Sequence, residues 1–258
     1  DNNVKDIENI LTEINNETGF YEKYKYIDLD YFKNLNKSSS VLQILTIYNL
    51  TSPVLSLAVP IIMLIMPFFI LKIQGLSISF SAYTETMIKL FKNHIIGQLF
   101  SRFSEVDISQ KIFLIFSLGF YLFNIYQNIN SCYNFYKNTY KVQNTLLSIN
   151  KFIDFSISNI ENISKYSKQS FIPFLEYNNK VKRELILLKT ELEKIDLHKL
   201  KITRITKIGN ILKCFYELYT NYNYREALEY CIDLHYYLVN MKNIQNHISK
   251  SKINYCKF

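Results

Sequence analysis

Between Ser38 and Leu71 the chain has no charged residue, and three of its four prolines fall in that run seven residues apart, at Pro53, Pro60 and Pro67. Residues 54–73 form a hydrophobic segment in which thirteen of twenty positions are Leu, Ile, Val or Phe. As a helix it spans about 30 Å, the thickness of a bilayer's hydrocarbon core. Seven residues turn a helix by two turns less about 20°, so the prolines share one stripe. An interior proline costs a soluble helix about 3 kcal/mol, but membrane helices tolerate it where hydroxyls re-satisfy the freed carbonyls. Ser52 and Ser56 are placed for this. The run therefore reads as a kinked membrane arm or, in a soluble protein, as short helical pieces that each start at a proline.

The rest of the chain patterns as helix. Val4, Ile7, Ile10, Leu11 and Ile14 recur at helical spacing, and residues 41–51 form an apolar helix expected to end before Pro53. Residues 82–103 are amphipathic, with Met87, Ile88, Phe91 and Leu99 opposing Lys89, Lys92, His94 and Arg102. Such a helix suits a membrane surface or a partner helix. Residues 112–123 are a second hydrophobic segment, short for a span, with Asn124, Gln127 and Asn128 following on the same helix. A helix over 131–165 follows, then one over 173–196 opened by Pro173 and striped by Leu175, Val181, Leu185, Leu188, Leu192 and Ile195. After a segment near 198–220, Asn223 reads as an N-cap with Glu226 three residues on, before a last helix over 224–249. The Ser/Lys/Asn stretch 161–172 is the candidate hinge. The fold class is all-α: a long-helix bundle or lever with a hydrophobic helical hairpin. It divides into a polar segment 1–40, the hairpin with its amphipathic connector 41–129, and a basic region 130–258.

Composition supports this. Five glycines and four prolines are too few for a turn-rich β fold of 258 residues. Tyr (21) and Phe (19) abound without Trp, beside much Asn, Ile and Lys, which reads as an AT-rich coding bias and lowers the weight of any single Tyr, Asn or Lys. Residues 1–40 hold five Lys against eight acids, net −3, whereas 130–258 hold twenty Lys/Arg against eleven acids, net +9. A basic half faces nucleic acid or anionic lipid, or keeps a helical surface soluble. Four cysteines without a CxxC read as reduced, intracellular thiols. The N-terminus is acidic and carries no secretory signal pattern, and the start at Asp1 reads as a segment of a longer protein.

Chemistry-bearing patterns are sparse, and no catalytic, cofactor or metal residue is expected. None of Gly75, Gly97, Gly119 or Gly209 sits in a GxxxxGK loop, so nucleotide hydrolysis is not expected of these residues. Cys231 and His235, four apart on one helix, make half of a zinc site without evident partners, and packing is the simpler role. His94, His198 and His247 lack a partner for catalysis, and Glu191, Glu193, Lys194 and Asp196 read as a solvated face. Phe20 and Glu22, in Gly19-Phe20-Tyr21-Glu22, match the Phe-x-Glu with which mismatch-binding proteins wedge an aromatic into a base step. A second copy, Phe215-Tyr216-Glu217, and the absence of a following mixed α/β pattern favour an ordinary packed aromatic.

Two stretches carry a resemblance. One runs Ile47-Tyr48-Asn49-Leu50-Thr51-Ser52-Pro53 into Pro67-Phe68-Phe69, with the later Phe120-Tyr121-Leu122-Phe123-Asn124. The other is Ile208-Gly209-Asn210-Ile211-Leu212-Lys213-Cys214-Phe215-Tyr216-Glu217-Leu218, ending in Ile253-Asn254-Tyr255-Cys256-Lys257-Phe258. Together they resemble the region preceding the ATPase domain in divergent MutS-like DNA-repair proteins of giant DNA viruses, over most of the chain. The resemblance implies a non-catalytic helical lever that couples DNA contact to an ATPase domain beyond Phe258. ATP and magnesium would belong to that domain, and the assembly would be a homodimer. The sequence departs from mismatch-repair MutS in lacking a recognisable mismatch-recognition domain and in carrying the proline-rich run. Beside this stand two other expectations: a membrane protein with a two-helix hairpin over 54–73 and 112–129, and a soluble helical scaffold.

Overall fold

A computed structural model describes residues 2–93, 108–166, 171–195 and 205–250, and every regular element among them is helical. The all-α expectation holds. The elements are α1 (Asn2–Asn15), α2 (Phe20–Lys23), a 3-10 turn (Asp30–Lys37), α3 (Ser39–Ile73), α4 (Phe80–Asn93), α5 (Ile108–Tyr166), α6 (Ile172–Glu193), a short 3-10 turn (Ile205–Lys207), α7 (Ile208–Thr220) and α8 (Tyr222–Ser249). They form two units: residues 1–46 with 137–258, and residues 47–136. The N-terminal residues 1–46 pack with the basic residues 137–258 in one of these units.

The first unit is built by stripes at helical spacing. Val4, Ile7, Leu11 and Ile14 of α1 are buried, as are Val142, Leu146, Ile149, Ile153 and Ile160 of α5. Val181, Leu185, Leu188 and Leu192 of α6 and Leu228, Cys231 and Ile232 of α8 complete the core. Each fully buried Leu or Ile contributes about 1.5–3 kcal/mol relative to exposure. Helix α7 is buried around most of its circumference, from Ile208 to Leu218. Tyr26, buried beside it, donates its hydroxyl to Leu212 O at 2.7 Å. Gly209 permits a close crossing: a Cβ there would meet Ser39 O and lie 2.8 Å from Gln43 Cβ. The Gln43 side chain accepts from Gly209 N at 2.9 Å.

Two boundaries differ from the sequence reading. Asn221, not Asn223, caps α8: its Oδ1 accepts from Asn223 N at 3.0 Å, so the helix starts at Tyr222. Residues 161–166 of the expected hinge continue α5; 167–170 lie outside the described residues.

In the second unit α3 runs unbroken through Pro53, Pro60 and Pro67. The expectations of a helix end before Pro53 and of proline-started pieces are therefore corrected. A proline at position i leaves the carbonyl of i−4 without its amide partner. For Pro53 that carbonyl is Asn49 O, and Ser52 Oγ donates to it at 3.0 Å. Thr51 and Ser56 likewise donate to Ile47 O and Pro53 O, at 2.7 and 2.8 Å. The helix stops at Gly75, whose φ of 82° suits a glycine C-cap. Gly75 N donates to Lys72 O and Leu76 N to Leu71 O, both at 3.2 Å, the paired bonds of a Schellman motif. Ser79 Oγ then accepts from Ala82 N and opens α4. The amphipathic helix expected over 82–103 is seen as α4; residues 94–103 lie outside the described residues.

Candidate functional site

The described residues of the second unit bury few apolar side chains. Among the described residues its buried apolar side chains are three, Phe68, Tyr83 and Phe135, against thirty-one in the first unit. Phe68 packs on Phe80 and Tyr83, with ring centroids 5.4 and 5.0 Å away, and closes the α3–α4 turn. Most other described apolar side chains of this unit are exposed: Val54 is 67% exposed, Phe116 63% and Phe120 71%. Helices α3 and α5 are long and apolar enough to cross a membrane, within Ser39–Val59 and Lys111–Tyr166. Of their most apolar stretches only 11% and 0% is buried, so those stretches, unlike the other ends of the same helices, are not core.

Charge follows the same boundaries. The arm Ile47–Leu71 and the arm Ile112–Tyr136 are each uncharged and each 25 residues long. As helix that is about 37 Å, enough to span a bilayer with some tilt. Lys72 and Lys111 mark the far ends, and charge resumes at Lys137 where the first unit resumes. Tyr48, Tyr133 and Tyr136, exposed, sit at the near ends, the position where amphipathic rings favour a membrane–water interface. There the arms touch: Cys132 Sγ donates to Leu50 O at 3.5 Å.

The wedge candidates lie in the first unit. Phe20 is 2% exposed, stacked on Tyr219 at 3.6 Å and on Phe215 at 5.6 Å between centroids. Tyr21 lies edge-on to Tyr216 at 6.2 Å, so the two Phe-Tyr-Glu triplets pack against each other. Phe20 is here a packed aromatic, and Glu22 is exposed at the edge of the cluster. Burial pushes the Tyr24 hydroxyl up to about 12 and that of Tyr26 well above its ordinary value.

The remaining candidates are dispersed. Cys231 is buried, its thiol pushed up to about 12 by that burial, while His235 lies edge-on to Phe155 at 5.5 Å. Burial lowers His235, which disfavours its charged form. Among the described residues no group of three or more His, Cys, Asp or Glu is placed to hold a metal ion. His94 and His198 lie outside the described residues, and His247 is exposed on α8. The solvated-face reading of Glu191 is corrected: it pairs with Lys194 on its own helix end and with Lys213 of α7 at 3.0 Å. The Lys194 ammonium is the main cause holding the Glu191 carboxyl below its usual range; burial opposes it and Lys213 adds to it.

Comparisons with protein-family models, with curated proteins and with solved structures each find no match.

The sequence reading missed two features of this site. It stopped the second arm near residue 129, where uncharged polar residues dilute the apolar run; the signal was the absence of charge up to Tyr136. It also passed over Gly209, whose isolation inside an apolar helical pattern is the usual mark of close packing.

Proposed function

We propose that this chain is a membrane-anchored helical protein whose residues 47–136 insert as a two-arm hairpin and hold the first unit at the membrane surface. The carrying observation is that most described apolar side chains of both uncharged 25-residue arms are exposed, and that among the described residues of that unit three apolar side chains are buried. In water such a surface associates or aggregates; in hydrocarbon it is matched. A hairpin returns the chain to its starting side, so residues 1–46 and 137–258 share one compartment. The net +9 of residues 130–258 suits the cytosolic side and an anionic leaflet. The test is alkaline carbonate extraction of the full chain expressed in cells. Retention in the membrane pellet, with release only by detergent, supports the reading, and recovery in the supernatant overturns it.

A second reading is favoured by one element. Helix α5 runs over 59 residues, the kind of long helix that the lever of the MutS-like resemblance expects. That reading expects duplex DNA to bind with an affinity that falls steeply with salt, measured by fluorescence anisotropy on detergent-solubilised chain. Absence of salt-dependent binding counts against it.

A further inference from the structure

Among the described residues, the amides of the second arm bond only along their own helix. Asn124, Gln127, Asn130 and Asn134 lie three, three and four residues apart on α5 and occupy one sector of about 120°. All four are exposed. Cys132, whose thiol reaches Leu50 O of α3, lies on the other side of the helix, so this sector does not face the companion arm. The α3 hydroxyls do not serve it either, since Thr51, Ser52 and Ser56 donate to carbonyls of their own helix. The recorded amide bonds run along α5 itself: Asn128 Nδ2 to Asn124 Oδ1 at 3.0 Å and Asn134 Nδ2 to Asn130 Oδ1 at 3.5 Å. Each primary amide offers two donors and a two-lone-pair acceptor, so these bonds leave most of that capacity open.

We propose that this sector is a self-association surface, and that a second copy of the chain packs on it through amide–amide hydrogen bonds within the membrane. The proposal rests on the hairpin reading. With the arms joined at Leu50 and Cys132, Asn124 lies eight residues further in, about 12 Å, level with Ala58 of the apolar first arm. At that depth lipid tails offer neither donor nor acceptor, and an open amide is strongly disfavoured. A partner must therefore present amides at the same depth on an uncharged face. A second copy does so by construction, because an amide is its own complement and the sector carries no charge to repel it. Polar side chains acting across membrane helices in this way are a general driver of their association.

The test uses the full chain reconstituted in phosphatidylcholine vesicles. In a background with Cys132, Cys214, Cys231 and Cys256 replaced by Ala, single cysteines are placed by Gln127→Cys inside the sector and Leu122→Cys outside it. Copper–phenanthroline oxidation is expected to cross-link Q127C copies about tenfold faster or more than L122C copies; equal or reversed rates overturn the proposal. A companion variant, Asn124→Leu with Gln127→Leu and Asn134→Leu, is expected to stay carbonate-resistant while its self-association, read by energy transfer on dilution with lipid, weakens about tenfold or more. Undiminished energy transfer in that variant overturns the surface. Wild-type chain that resists carbonate yet shows no energy transfer also overturns this surface and leaves the hairpin reading standing. Wild-type chain released by carbonate overturns both.

Discussion

At the scale of single residues, the aromatic cluster around Phe20 is where the largest local effects are expected. The ring is enclosed by Tyr24, Tyr26, Phe215 and Tyr219, so Phe20→Ala removes a buried ring and leaves a cavity. Such truncations cost about 3–5 kcal/mol. Urea denaturation followed by near-ultraviolet tyrosine dichroism should show that loss, while Glu22→Ala, at an exposed position, should change stability by less than about 0.5 kcal/mol. Two thiols give a second prediction. Cys214 is pushed from an ordinary 9.0 to about 12, first by burial and then by the negative charges of Glu217 and Glu191; Cys231 reaches about 12 by burial. Both should resist iodoacetamide at pH 8 in the folded chain and react once it is unfolded. The sign for stability follows. The unfolded thiols release their protons near pH 9 and the folded ones near 12, so this contribution is intact below about pH 9 and is lost as pH rises toward 12. A denaturation midpoint that rises over that window contradicts it.

At the scale of elements, α3 and α7 show how far periodicity carries. The helices α1, α6 and α8 and the C-terminal half of α5 were legible from their apolar spacing, since each buries one stripe. Their ends were less legible, because ends depend on which side chain reaches a backbone group. Asn221 rather than Asn223 caps α8 through a two-residue Asx bond that either asparagine satisfies on paper. The prolines of α3 misled for a related reason: a proline removes one bond, and Ser52 restores a partner for the affected carbonyl. Gly209 marks the crossing of α3 on α7. Gly209→Ala should destabilise the first unit by about 1–3 kcal/mol, since the added methyl falls on Ser39 O, a backbone atom that yields only if the helices part. Guanidinium denaturation of the solubilised chain measures this, and a neutral substitution would mean that the crossing is looser.

For the whole molecule, the division into two units was only half visible in sequence. The hydrophobic arms stood out, but that residues 1–46 pack with 137–258 depends on contacts far apart in the chain, such as Tyr26 with Leu212. A charge on the outward face separates the two units experimentally. Leu122→Lys places an ammonium two residues from the midpoint of the 112–136 arm, on a side chain that is 55% exposed. At the centre of a membrane helix that costs about 2.5–3.5 kcal/mol, so the variant should shift toward the carbonate-soluble fraction. The denaturation midpoint of the first unit should stay within error of the wild type. The split of that unit across both ends of the chain also sets an order of events during synthesis. Tyr26 leaves the ribosome 186 residues before its acceptor at Leu212. At translation rates of about 5–20 residues per second the delay is about 10–40 s. Both hydrophobic arms emerge within it, so under the proposed hairpin reading the chain meets a bilayer while the aromatic surfaces of α2 and its turn still await α7.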